Sequence, residues 1–370
     1  MVSVKKIKLI ELQEFVNSSD YHQLINKPIS LARVISYLNN PNANDDDVVL
    51  YMAFVELELI GYKTIFADTF FYNNCKTKFG WLSGTWTHKN YRRKGVSTLL
   101  LNEVLSDWDE NLMYTNYAEE SKAVYDKTDK FTLLKSNEGY RYYIRFCFKE
   151  LLPPKSDYFS KNIKILKFVD VTLNLLGDFR FKLLNTKKNS DYAICKLEDW
   201  NDKIINFIEP FKKKELFQRD KILYDWIAKY PWVKTDVETE ILSQQYYFSN
   251  FSTKFCSNWY KIYEIKSQKI IGIALITINN KHLKTPYIYA TSDSLPFFKN
   301  LIIKLCIKHK ISYLTVYNAD LNKLILEQSY FKILSKKFTQ NYFYSKKLAK
   351  QLPSIGVFEI QNGDGDIVFT

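Results

Sequence analysis

Glycine is scarce in this sequence: ten residues among 370, far below the usual share of about 7%. Each glycine is therefore expected where a side chain is not tolerated. Histidine and cysteine are sparse as well. His22, His88, His282 and His309 are scattered, and Cys75, Cys147, Cys195, Cys256 and Cys306 form an odd set with no CxxC pair. Such spacing encodes neither a disulfide framework nor a zinc site, so no metal chemistry is expected. No run approaches the roughly 18 uninterrupted apolar residues of a membrane-spanning helix. The first fifteen residues scatter lysine and glutamate through their hydrophobics instead of building a leader core. A soluble, cytoplasmic chain is the expectation. What is abundant is apolar side chains, 46% of the total against 25% charged residues. That balance excludes a disordered or fibrous chain, and the length suffices for two domains. The net charge of +13 is spread over dispersed lysines without a block of five basic residues. It predicts a solvated surface with general attraction for anionic ligands such as phosphates, and not nucleic-acid binding.

Six of the ten glycines lie in two windows: Gly80, Gly84 and Gly95, then Gly356, Gly363 and Gly365. The first window is a strand-like run over 79–88, followed by Lys89-Asn90-Tyr91-Arg92-Arg93-Lys94-Gly95. Val96, Leu99, Leu100, Leu101, Val104, Leu105 and Trp108 then recur at three- and four-residue intervals, which predicts an amphipathic helix. Strand, basic glycine loop and helix is an anion-binding layout. The first amides of a helix are unpaired and the helix dipole favours negative charge, while glycine lets a diphosphate approach the main chain. Neither GxxxxGK[ST] nor GxGxxG is present, so this is not a P-loop or a dinucleotide fingerprint.

The phrase Arg92-x-x-Gly95-x-Ser97 resembles the acyl-CoA pyrophosphate loop of the GNAT N-acyltransferase superfamily, (Gln/Arg)-x-x-Gly-x-(Gly/Ala), with Ser97 as the departure. The surrounding order fits the resemblance. Strand-like runs at 48–57 and 62–72, separated by a break at Gly61, read as a hairpin; 111–117 reads as a strand, 119–127 as a helix and 140–148 as a strand. The resemblance implies an α/β (α+β) fold in which the strands before and after the helix splay apart around the pantetheine arm. Backbone groups of Thr85, Trp86 and Thr87 would bind that arm. Arg92, Arg93, Lys94, Gly95, Val96, Ser97 and Thr98 would cradle the pyrophosphate. Tyr125, within Ala123-Val124-Tyr125, matches the superfamily's tyrosine and would protonate the departing CoA thiolate. Here Phe131 stands six residues after Tyr125 instead of five, Lys130 replaces a glycine, and Ala118 stands where asparagine is frequent. Phenol near pKa 10 and thiol near 8.5 make the proton transfer feasible.

The order of elements recurs about 200 residues later, with strand-like runs at 259–265, 270–278 and 286–290, a helix at 296–310, a strand at 311–317 and a helix at 319–330. The chemistry does not recur. Ala290-Thr291-Ser292-Asp293-Ser294-Leu295-Pro296 has neither glycine nor cation, and Ile325 stands at the offset of Tyr125. Two tandem GNAT-like domains are expected, each a mixed, mostly antiparallel splayed sheet flanked by helices. They are an acyl-CoA-binding domain at 1–152, a linker helix at 153–190 and a degenerate domain with a C-terminal tail at 191–370. The basic, apolar segment 161–184 is expected to pack between domains, with a peripheral membrane surface as the alternative. The segment 210–233 is expected to be a helix in a domain core.

As an acyltransferase the chain would use acetyl-CoA as donor, without a metal, and an amine as acceptor: a small molecule, an amino sugar or a peptide. Asp68, inside the apolar run 65–71, is the expected catalytic base, with Glu119, Glu120 and His88 as other candidates. Asp364 and Asp366, in a tail too apolar to hang free, and Glu119 are expected on the acceptor side. Deleting 362–370 is expected to impair the acceptor and spare stability. Calcium binding by the two tail aspartates is the lesser alternative. A non-catalytic acyl-CoA-binding protein and a Fem-type aminoacyltransferase are the rival functions. The intact loop argues against the latter, whose tRNA donor offers no CoA diphosphate.

Overall fold

The computed structural model describes residues 1–72, 75–115, 119–184, 191–352 and 358–370, and the side chains of Glu119 and Glu120 also lie outside the description. Among the described residues the strands are β1 (Val2–Lys8), β2 (Val48–Val55), β3 (Glu58–Tyr72), β4 (Cys75–Thr87), β5 (Leu112–Thr115), β6 (Phe131–Tyr143), β7 (Tyr192–Lys196), β8 (Phe255–Glu264), β9 (Ile270–Asn279), β10 (His282–Ala290), β11 (Tyr313–Val316) and β12 (Leu334–Ser345). They belong to two compact units that interleave in sequence. The first comprises 1–137, 199–255 and 340–370, the second 138–198 and 256–339.

In the first unit the strand order is β1-β2-β3-β4-β5-β12. The pairs are antiparallel except β4 with β5, which are parallel and joined by the helix Val96–Asp107. A parallel pair needs such a crossover. The periodicity read in the sequence appears as the buried face Val96, Leu100, Leu101, Val104 and Leu105, packed on Tyr51, Ile60, Ile65 and Leu112 of the sheet. In the second unit the order is β6-β11-β10-β9-β8-β7. Its one parallel pair is β10 with β11, joined by the helix Leu295–Lys308, which buries Leu295, Phe298, Ile302, Ile303 and Cys306. Each unit therefore carries six strands in a mixed, mostly antiparallel order, with helices against them.

Each unit takes its sixth strand from the other half of the chain. In the first unit β5 pairs with β12, Tyr114 opposite Phe343; in the second, β11 pairs with β6, Leu314 opposite Tyr142. A division at 152 and 190, read from chain order, cuts through both sheets.

Several boundaries differ from the sequence reading. The hairpin turn is at Glu56 and Leu57, with Glu56 at φ 53°. Gly61 lies inside β3 instead, because a Cβ there would stand 2.7 Å from Val96 Cγ1 on the helix packed above it. The strand expected at 140–148 starts at Phe131 and ends at Tyr143, and Phe148 opens a short helix. Of the strand at 111–117, Leu112–Thr115 is described and 116–118, with Ala118, lies outside the described residues. The helix at 210–233 is two helices, Asp202–Lys212 and Lys221–Lys229.

Candidate active site

β4 is held by β3 as far as the pair Gly61–Thr87, but by β5 only at Gly80–Leu112 and Trp81–Met113 among the described residues. Beyond Trp81 the β4 edge from Leu82 to Thr87 has no ladder partner on that side among the described residues. Gly84 bends the strand at this point. Its φ of +67° suits glycine, and a Cβ would meet Thr64 Oγ1 at 2.6 Å and Arg33 Nη1 at 2.7 Å. The bulge falls between the pairs Lys63–Thr85 and Thr64–Ser83. Thr85 and Thr87 are half-buried on the open stretch, while Trp86 stacks on Tyr62 with ring centroids 5.4 Å apart.

The loop after β4 is a single turn, Lys89–Tyr91, followed by Arg92, Arg93, Lys94 and Gly95, all four exposed. Gly95 caps the helix at φ +85°, a left-handed conformation that favours glycine, with nothing within 4 Å of where a Cβ would stand. The first helical bond is donated by Leu99 N–H to Gly95 C=O at 2.9 Å. The amides of Val96, Ser97 and Thr98 precede it and have no intrahelical acceptor. Arg92 Nε bonds back to Thr87 C=O at 3.4 Å, and Lys94 lies over the Tyr91 ring, whose hydroxyl donates to Glu58 Oε2 at 2.9 Å. The result is an open, cationic, amide-lined cradle.

Tyr125, on the helix Glu119–Lys127, is buried with its ring against Tyr114 and Phe131, and Phe343 of β12 stacks on the Tyr114 ring. Its hydroxyl accepts a 3.1 Å hydrogen bond from Lys63 Nζ, which also donates to Thr85 Oγ1 at 2.6 Å. Lys63 has no exposed area and no carboxylate partner among the described residues. Sequence reasoning missed it: one lysine within a long strand gives no sign of its burial. The only signal was its place opposite Thr85 in a β3–β4 hairpin.

Residues 15–127 match the model of the acetyltransferase (GNAT) family. The chain carries a GNAT-family domain. No curated relative matches the sequence. Among solved structures, N-myristoyltransferase of Saccharomyces cerevisiae with bound myristoyl-CoA is similar in fold, at TM-score 0.53 and 11% identity over 92% of this chain and 82% of that one. A GCN5-related N-acetyltransferase from Anabaena variabilis ATCC 29413 is similar at TM-score 0.50 and 10% identity over 93% and 72%.

The carboxylates near the GNAT domain's open strand divide into saturated and available ones. Asp68 corrects the sequence reading. Its oxygens accept from Arg219 Nη1 at 2.5 Å and Nη2 at 2.8 Å, Trp81 Nε1 at 2.8 Å, Asn42 Nδ2 at 3.1 Å and Thr69 N–H at 2.8 Å. A carboxylate this fully occupied is structural, with no lone pair left for an amine proton. Asp364 is the other arm of the same buried cluster, accepting from Arg219 Nη2 at 3.1 Å and Gln361 N–H at 2.9 Å. Asp364 is thus paired with a guanidinium, a partner the calcium alternative did not foresee.

Asp366 differs. It is half-buried and accepts from Ser83 Oγ at 2.8 Å. Ser83 also lies 3.4 Å from Arg33 Nη1, whose guanidinium sits 3.9 Å above the Trp232 ring. Burial raises the hydroxyl pKa of Tyr246, beside Arg33 and Asp366, and that hydroxyl has no hydrogen-bond partner among the described residues. The tail that carries Asp366 is docked. Ile367, Val368 and Phe369 are buried, Phe369 stacks on Trp232 at 4.8 Å, and a Cβ at Gly365, whose φ is +90°, would stand 3.8 Å from both Trp81 and Thr115. Deleting the tail would therefore remove core packing, contrary to the expectation of spared stability. Glu119 opens the helix of Tyr125, but its side chain lies outside the described residues. His88 accepts from Asn90 N–H at 3.4 Å in the turn.

Proposed function

We propose that the protein is an acyl-CoA-dependent N-acyltransferase that moves a short acyl group, acetyl first of all, to an amine by direct attack on the thioester. One observation carries this reading: the open cationic cradle at Gly95, the unpaired edge of β4 and the Tyr125 hydroxyl share one unit, on the elements that the strand-loop-helix order supplies. The amides of Val96, Ser97 and Thr98 with Arg92, Arg93 and Lys94 hold the diphosphate. Each charge-assisted bond is worth about 1.5–3 kcal/mol, so three or four account for most of a micromolar affinity. The edge from Leu82 to Thr87 offers its N–H and C=O groups to the pantetheine amides and to the thioester oxygen, where charge develops.

Tyr125 gives its proton to the departing thiolate. The phenolate left behind faces buried Lys63 Nζ, which already donates a hydrogen bond to that oxygen and stabilises the negative charge developing on it. The rings of Tyr114, Phe131 and Phe343 fill the space around Tyr125, which supports a short acyl group over a long one. On the acceptor side Asp366 attracts the cationic amine and takes its proton, the role that Asp68 and Asp364 are too heavily bonded to fill. The step matters most for a lysine-like amine, whose deprotonation at neutral pH costs about 4–5 kcal/mol.

The test is a panel of amines, amino sugars and peptides with acetyl-CoA and a long-chain acyl-CoA, read by free-thiol release, beside calorimetry of each donor. One donor site per chain and thiol release that depends on an amine are expected. Donor binding without amine-dependent release by any acceptor would leave a binding protein instead of an enzyme.

A further inference from the structure

The helix Ile163–Gly177 of the second unit turns a mixed side inward, with Asp170 buried and Leu166, Val169, Leu173 and Asn174 half-buried beside it, and leaves its larger apolar side chains out. Asp170, buried, accepts from Phe148 N–H at 2.8 Å and Lys149 N–H at 3.0 Å, and Asn174 exchanges 2.9 Å bonds with the N–H and C=O of Phe146. Its outward side is apolar. Ile165, Phe168, Leu175 and Leu176 are each at least 60% exposed, and the ridge continues through Phe179 and Leu183 in the following turn Asp178–Leu183. An ordinary surface helix turns such a stripe toward the core. The sequence reading named a peripheral membrane surface as an alternative for this segment, and its largest apolar side chains are exposed.

We propose that this ridge docks on an anionic lipid bilayer, with the helix lying in the plane of the interface. The charges choose the occupant. Lys161, Lys164, Lys167 and Lys182 are exposed around the ridge, and none forms an ion pair with a carboxylate among the described residues. The acidic residues of the segment are already used: Asp170 in the caps above, and Asp178 in a 2.9 Å pair with Arg145. Two copies placed face to face would set lysine against lysine, with no acid on either face to answer them. A convex apolar ridge flanked by lysines matches an interfacial helix, whose apolar side sinks about 5–10 Å into the headgroup boundary while lysines reach the anionic headgroups. This inference is independent of the acyl-transfer reading.

Co-sedimentation of the full chain with phosphatidylcholine vesicles, with and without about 30% phosphatidylserine, tests it. Binding to the anionic vesicles and little to the neutral ones is expected. Phe168→Ser with Leu175→Ser, and separately Lys164→Glu with Lys167→Glu, should each weaken partitioning about tenfold or more. All four side chains are exposed, so thermal unfolding should be unchanged. The parent protein gives a second measurement, slowed amide hydrogen exchange over 163–177 on anionic vesicles. No partitioning by the parent, or equal partitioning by the variants, overturns the proposal. A lipid-free dimer in sedimentation velocity that is abolished by the serine pair also overturns it, by assigning the ridge to a second copy.

Discussion

The helices Val96–Asp107 and Leu295–Lys308 each carry the chain from a strand to the parallel strand beside it, and each lays five residues against its own sheet. Their first turns diverge. Gly95 opens the first helix in a left-handed conformation with empty space above it, after three exposed cations. The second is opened by Ser294, buried and bonded back to Thr291 C=O at 2.8 Å, with Pro296 in the first turn and Asp293 exposed beside it. Proline removes an amide donor and aspartate repels a diphosphate. The packing face that makes the fold survives in both units, whereas the exposed Arg92, Arg93, Lys94 and Gly95 lie outside that face and have no counterpart in residue type before Leu295. The tyrosines and lysines follow the same rule: Tyr125 meets Lys63 in the first unit, and Ile325 at the corresponding place is core.

The largest effect expected from testing this contrast is on stability. Each unit buries an arginine, but Arg219 lies between Asp68 and Asp364, both buried, while Arg145 pairs with Asp178, which is about one-third exposed. Arg219→Met should cost about 3–5 kcal/mol by leaving two buried carboxylates unpaired. Arg145→Met should cost about 1–3 kcal/mol in denaturant unfolding. Equal losses would break the contrast.

Next comes the donor site. Gly95→Glu should weaken acetyl-CoA binding about 100-fold or more, the equivalent of two charge-assisted bonds lost. Ser294→Gly should create no second site, and calorimetry reads both. Tyr125→Phe should lower turnover about 10- to 1000-fold with donor affinity kept. Lys63→Met should lower turnover less, by removing the hydrogen bond to the Tyr125 oxygen, while Ile325→Val should change neither turnover nor donor affinity.

The smallest effect concerns pH. His282, 2.8 Å from Thr315 Oγ1 in the second unit, is held well below the ordinary histidine pKa, first by burial and then by Lys284 and Arg141. The unfolded chain therefore binds the proton more readily, and stability falls as pH drops below about 6.5 toward the lower folded value. Hydrogen exchange in β10 and β11 should quicken over that range, and His282→Gln should flatten the response.

The cradle was legible because glycine is rare enough for Gly95 to stand out, and Tyr125 because its distance from the loop is set by one helix and one strand. The partners of the carboxylates were not. Asp68 looked like an expensive lone charge in an apolar run, since Arg219, which neutralises it, is 151 residues away. Lys63 is one of 53 lysines and arginines, and burial leaves no mark on its neighbours. The exposure of Ile165, Phe168, Leu175 and Leu176 was not legible either, because a helical period gives the width of an apolar stripe and not the direction it faces.

The traded strands have a consequence for how the molecule is made. β5 receives its neighbour from β12, some 220 residues later in the chain, so the sheet that carries the cradle cannot close while the protein is still being synthesised. Until then β5 is an open edge, able to pair with the wrong chain. Such distant pairing slows folding. A fragment ending at residue 152 would hold every residue of the cradle and still lack the strand that completes its sheet. It should emerge from expression as aggregate unless a peptide spanning 334–345 is supplied with it.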